Sequence, residues 1–136
     1  MKAGSPMNAA PAQQVLIVED DGDNREMLKT LLQIHGYRVH TAAAGQEGVE
    51  LIERLRPLAA LVDIGLPGMN GYEVAEHVRR NLVDDHTYLV ALTGYGQQAD
   101  VQKALDRGFD RHVVKPLTIE KLMEVLAERP ASRSTP

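Results

Sequence analysis

Cysteine and tryptophan are absent from the 136 residues, and phenylalanine occurs once. Without thiols there is no disulfide scaffold, no thiolate zinc or iron–sulfur ligation and no thiol nucleophile. With only four tyrosines beside the single phenylalanine, the interior is predicted to be aliphatic. Excess positive charge is also missing. Fifteen Lys and Arg stand against 19 Asp and Glu, a net charge of -4, so no basic face is expected to hold a nucleic-acid backbone. No apolar run approaches the roughly 18 residues of a membrane span. Residues 1–14 lack the continuous apolar stretch of a signal peptide. These absences predict a cytoplasmic protein with neither a membrane nor a nucleic-acid partner. What remains is ordinary globular composition, in a chain long enough to hide about two-thirds of its extended surface.

Met1 to Gln13 is rich in Ala, Pro and Gln and aperiodic, as a flexible arm or linker would be, and residues 129–136 (RPASRSTP) read as a flexible tail. A single domain over 14–128 is predicted between them. Inside it, short aliphatic runs alternate with segments of helical period. The runs are Val15 to Val18, Arg38 to Ala42, Leu58 to Val62, Tyr88 to Leu92 and His112 to Val114. Runs that are apolar throughout suit strands buried on both faces of a parallel sheet. Helices are predicted over Asn24–His35, Gln46–Leu55, Tyr72–Asn81, Gln98–Arg107 and Ile119–Glu128, the last with Thr118 as N-cap. Parallel strands require crossovers, so five strand–helix units predict an α/β, doubly wound (βα)5 domain of three layers. Ligands in that architecture collect at the carboxyl ends of the strands.

At those ends the residue types change character. The first strand leads into Glu19-Asp20-Asp21, the third into Asp63, the fourth into Thr93 and the fifth into Lys115-Pro116. Carboxylates brought within a few ångströms repel by about 3 kcal/mol per pair at an effective dielectric near 20. Such a cluster calls for a cation, and an all-oxygen site with open positions suits Mg2+. A carboxylate beside a metal and the Lys115 ammonium is equipped to attack phosphorus, which makes Asp63 the candidate nucleophile. Asp21 and Asp23 are equally well explained as acids at a helix N-terminus; Asp63 is not.

Four segments, VLIVEDDGDNR (Val15 to Arg25), LVDIGLPGMNG (Leu61 to Gly71), VALTG (Val90 to Gly94) and VVKP (Val113 to Pro116), occur in order and at characteristic spacing. In them the chain resembles the receiver domain of two-component response regulators. The resemblance implies a flavodoxin-like fold with strand order 2-1-3-4-5. It implies phosphorylation on Asp63 by a histidine kinase or histidine phosphotransfer protein, with Mg2+ as cofactor and output through a conformational switch toward a downstream protein partner. Asp20 would bind the metal directly and Glu19 through water, a register anchored on Arg25 five residues after Asp20; the Gly65 carbonyl would complete the protein ligands, and the role of Asp21 is left open. Thr93 would be the switch hydroxyl, Lys115 the phosphate-pairing lysine, and the bond before Pro116 cis. His112 stands where the family often carries Tyr or Phe, and Gly65 and Tyr95 occupy positions that tune acyl-phosphate lifetime. Such a protein is not an enzyme beyond assisting its own phosphoryl transfer and dephosphorylation.

Other signals are weaker. Gly94-Tyr95-Gly96-Gln97-Gln98-Ala99 fits a dinucleotide fingerprint, but no acid follows the next strand to bind a ribose. The five histidines form no i,i+4 metal pair. Gly65 replaces the second acid that an aspartyl-phosphate hydrolase would want. A receiver-like interaction module without chemistry would be favoured by a missing acid or lysine, and none is missing. About nine residues follow Ala127, which predicts no effector domain: a stand-alone regulator, or a receiver excised from a hybrid histidine kinase. The Ala/Pro-rich arm suits a linker and favours the second.

Overall fold

A computed structural model of the chain describes residues 13–82, 86–94 and 100–128. Five strands, β1 (Gln14–Val18), β2 (Arg38–Ala42), β3 (Ala59–Asp63), β4 (Tyr88–Thr93) and β5 (Arg111–Val114), form one sheet in the order β2-β1-β3-β4-β5. Every neighbouring pair is parallel. Between and after them run α1 (Gly22–Ile34), α2 (Gly45–Leu55), α3 (Gly71–Asn81), α4 (Asp100–Asp106) and α5 (Ile119–Glu128).

The period-2 alternation of strand side chains divides the apolar residues between two cores. Val15, Ile17, Leu61, Val90 and Leu92 pack with Leu28 and Leu32 of α1 and with Leu122 and Leu126 of α5. Leu16, Val18, Ala60, Val62 and Ala91 face the other way, onto α2, α3 and α4. Strands buried on both sides are why the sequence shows continuous aliphatic runs rather than alternation. Aromatic side chains contribute more than composition suggests, since Tyr72, Tyr88 and Phe109 are all buried in these cores.

Helix ends follow local chemistry. Asp21 caps α1 by accepting the Asn24 N–H, and Asn70 and Glu73 form a reciprocal capping box on α3. Two helices end in the same way. After α1, the N–H of Gly36 (φ 93°) reaches Gln33 O and that of Tyr37 reaches Leu32 O. After α4, the N–H of Gly108 (φ 115°) reaches Leu105 O and that of Phe109 reaches Ala104 O. A left-handed residue is required at each of these stops, and glycine adopts it without a Cβ clash. Thr118 accepts the Lys121 N–H at the start of α5, as its sequence position predicts.

The observed elements differ from the predicted ones by a residue or two at their ends. The described part of α4 begins at Asp100; Gln98, where the sequence places its start, lies outside the described residues, as do 1–12 of the proposed arm and the tail 129–136. Three surface cations are partnered. Lys103 sits 4.6 Å from the Tyr72 ring centroid, Arg107 pairs with Glu76 at 3.0 Å, and Arg111 pairs with Glu128. Among the described residues no helix is long and apolar enough to cross a membrane.

Candidate functional site

Parallel register alone carries the chemistry-bearing residues to one edge of the sheet. Val18 lies opposite Val62, Asp63 opposite Leu92, and Thr93 opposite Val114. The residues that end or follow β1, β3, β4 and β5 therefore meet: Glu19 and Asp20, Asp63, Thr93, and Lys115.

Glu19 continues β1 by one residue, its N–H bonded to Ala42 O at 3.0 Å, and its side chain is only 1% exposed. One carboxylate oxygen accepts the Lys115 ammonium at 2.9 Å, and the other accepts the Asp21 N–H at 3.2 Å. Asp63 is held at both oxygens: Oδ1 accepts the Gly65 N–H at 2.9 Å and Oδ2 lies 3.2 Å from Lys115 Nζ. Asp20 is exposed, yet its carboxylate joins those of Glu19 and Asp63 in a group whose ligand atoms lie within 4.8 Å of one another. Gly65 stands on the loop that leaves Asp63, where its backbone frames the carboxylate.

Arg25 explains why the acids take these positions. From the first turn of α1 its guanidinium donates to Glu19 O at 2.9 Å and more weakly to Asp20 O at 3.4 Å, tying down the backbone that presents both side chains. Asp21, by contrast, spends its carboxylate on the N-cap bond and stays outside the cluster. The third acid of the run thus has a structural role, one that composition alone left open.

The electrostatics match this crowding. Burial, helped by the neighbouring Asp63 charge, raises the Glu19 carboxyl above its ordinary value although the Lys115 hydrogen bond pulls the other way. Burial alone would lower the Lys115 ammonium. The Glu19 hydrogen bond and the charges of Asp63 and Glu19 outweigh it and hold the group above its ordinary value. Two acids share one ammonium here while a third faces solvent. The donors are all carboxylate oxygens, hard ligands of the kind Mg2+ takes, so the residues present fit a divalent cation.

Two further features frame the centre. Thr93 is completely buried, and its hydroxyl lies 2.7 Å from His112 Nε2. The Lys115-Pro116 peptide is cis, and the Lys115 N–H bonds to Thr93 O at 2.9 Å, so the lysine is fixed to the end of β4 as well as to β5. Beside the carboxylates opens a cavity of about 540 Å³ with Glu19 and Lys115 at its polar end and Met27, Leu28, Pro116 and Leu117 on its walls. Sequence reasoning missed this apolar wall. Its signal was Met27, an exposed apolar residue lying off the buried Leu28/Leu32 stripe of α1. Tyr95 and most of the glycine-rich segment after Gly94 lie outside the described residues.

The fold and the site together describe a five-stranded doubly wound sheet with an acidic triad, a lysine and a buried threonine gathered at its carboxyl edge. Residues 15–127 match the response regulator receiver domain family, and the chain belongs to it. It is thereby a receiver domain of two-component response regulators, a signalling domain rather than a typical enzyme. It is 38% identical over 103 residues to the transcriptional regulatory protein AfsQ1 of Streptomyces coelicolor, an alignment covering 76% of this chain and 44% of that protein. The chain thus spans less than half the length of that regulator. Among solved structures it is similar to the receiver domain of the sensor histidine kinase PA1611 of Pseudomonas aeruginosa, crystallised with a magnesium ion coordinated in its active-site cleft. That likeness has a TM-score of 0.80 and 30% identity, covering 88% of this chain and 98% of the other. The Vibrio cholerae chemotaxis protein CheY4 superposes with a TM-score of 0.81 at 29% identity, covering 88% and 100%.

Proposed function

We propose that this receiver accepts a phosphoryl group on Asp63 from a phosphohistidine of a histidine kinase or phosphotransfer protein, and signals through the repacking that follows. The observation that carries the reading is the clamp on Asp63. Its carboxylate is fixed at the end of β3 by Gly65 N–H and Lys115 Nζ, inside a cluster of oxygen donors. In the transfer, an Asp63 carboxylate oxygen forms a bond to phosphorus as the phosphorus–nitrogen bond to the donor imidazole breaks. The electron pair of that bond returns to the imidazole, which leaves neutral if the ring entered protonated. Lys115 stands where it can neutralise a phosphoryl oxygen, and the Thr93 hydroxyl is the donor available to a second one after a change of rotamer. Glu19, Asp20 and Asp63 would hold Mg2+, with the Gly65 carbonyl as a further ligand; bound there, the ion would offset the charge of the transferring group. The apolar wall beside the acids gives a donor protein a surface on which to rest while its phosphohistidine reaches Asp63.

The metal assignment has its own test. Asp20→Ala is expected to weaken Mg2+ binding by about tenfold or more, because one hard ligand and one charge are removed. Asp21→Ala is expected to leave Mg2+ affinity within about twofold and to lower stability by about 1 kcal/mol through loss of the N-cap. Mg2+ titration and urea denaturation of both variants check this, and a larger metal effect at Asp21 overturns the register. The donor class is tested by incubation with a histidine-phosphorylated kinase or phosphotransfer protein. Label passing to this chain in a hydroxylamine-labile form supports the reading. No transfer from any such donor while acetyl phosphate does label Asp63 overturns the phosphohistidine assignment alone.

A further inference from the structure

Thr93 and His112 meet through the ladder between β4 and β5. Their parallel register sets Ala91 opposite His112 and Thr93 opposite Val114, so Thr93 and His112 are diagonal neighbours on the same face of the sheet. Ala91 is small enough to leave the imidazole room to lie across it and bring Nε2 to 2.7 Å from the Thr93 hydroxyl. Thr93 is completely buried, so a hydroxyl deprived of a partner there is unfavourable.

β4 lies between β3 and β5 in the sheet. A Thr93 oxygen turned toward His112 on β5 faces away from Asp63 on β3, whichever ring nitrogen carries the proton. The β-branched side chain occupies discrete χ1 wells, so passing from one strand to the other is a rotamer jump rather than a drift. When the hydroxyl turns toward β3 it surrenders the His112 bond.

We infer that His112 is a latch on the switch residue: its imidazole holds the Thr93 hydroxyl on the β5 side, and occupation of Asp63 must outcompete that bond. His112 is thus a positioning residue that acts through Thr93 and sets how readily the site passes to its active arrangement. The inference rests on the acceptor reading of Asp63. It differs from a purely steric coupling because it locates the opposing energy in one hydrogen bond.

His112→Phe keeps an aromatic ring of similar size and removes the nitrogen. With Mg2+ present and beryllofluoride as the phosphoryl mimic, titration followed at the Gly65 amide reports occupancy of Asp63. The half-saturating concentration is expected to fall about fivefold in His112→Phe, since the unswitched state loses its hydrogen bond and the switched state does not. The shift should disappear when Thr93→Ala is present in both partners of the comparison, which a general packing effect would not do. An unchanged or higher half-saturating concentration in His112→Phe overturns the latch, as does an equal shift in the Thr93→Ala background. In the unmutated protein, the ¹⁵N resonance of His112 Nε2 should lose its hydrogen-bonded position when beryllofluoride is added. A resonance that stays in place overturns the inference even if the variant fails to fold. If the unmutated protein shows no beryllofluoride response at Gly65, the acceptor reading itself has failed, a result distinct from every outcome above.

Discussion

Asp63→Asn is expected to lower phosphate incorporation from acetyl phosphate about a thousandfold or more while leaving the fold intact. The amide keeps the shape of the carboxylate and can still accept the Gly65 N–H, but it lacks the charge and lone-pair basicity of the nucleophile. Lys115 retains its stronger partner, Glu19, at 2.9 Å. Without Mg2+ the variant is expected to be about 1 kcal/mol more stable than the parent, because one of three crowded carboxylates is neutralised. Intact-mass measurement and urea denaturation test the two parts separately. Incorporation at the parental rate would show that the nucleophile is elsewhere.

The second large effect belongs to Lys115→Ala. Removing the ammonium takes away the cation that pairs directly with the Glu19 carboxylate, 1% exposed, and with Asp63 beside it; Arg25 reaches only the Glu19 and Asp20 backbone oxygens. Breaking a buried pair from one side leaves an uncompensated charge, so a loss of about 2–4 kcal/mol is expected at neutral pH without Mg2+. The loss should shrink as the solution is acidified. The Glu19 carboxyl is raised by burial already in the parent, and without Lys115 it loses the interaction that opposes that rise. The folded state then binds a proton that the unfolded state releases between the ordinary and the raised value. Stability therefore increases as pH falls through that window and is fully recovered only below the ordinary carboxylate range. Some phosphorylation should persist, because the nucleophile remains. The conformational response should be lost, because the ammonium that holds a phosphoryl oxygen in the switched state is gone. Thermal or urea denaturation across pH, with and without Mg2+, reads the first part, and amide shifts on adding beryllofluoride read the second. A deficit that grows toward low pH would contradict the role given to Glu19.

Much of this molecule is written locally in its sequence. The aliphatic runs at Val15–Val18 and Leu89–Leu92 are continuous because both faces of their strands are covered, and that continuity separates a parallel sheet from a one-sided one. Gly36 and Gly108 mark helix stops through a backbone conformation that favours glycine. Glu19, Asp20, Asp63, Thr93 and Lys115 were legible as a group because each stands at a strand's carboxyl end, a position that the periodicity reveals. Contacts set by geometry between elements were not legible. The sequence does not say that Lys115 grips Glu19 more closely than Asp63, nor that Asp21 turns away to cap α1. It does not say that a small Ala91 lets His112 reach across to Thr93. These depend on register and on the burial of single side chains, and neither has a local signature. His112 stood out only as a departure from the aromatic residue common at its position, and the hydrogen bond gives that departure a physical content.

The central claim, that Asp63 is the phosphoryl acceptor, is tested most directly by mass spectrometry of the unmutated protein after incubation with acetyl phosphate and Mg2+, followed by borohydride reduction and peptide mapping. The account predicts a gain of one phosphoryl group per chain, dependent on Mg2+, with the reduced residue at position 63. No gain at saturating Mg2+, or a modification mapped to any other residue, would contradict it.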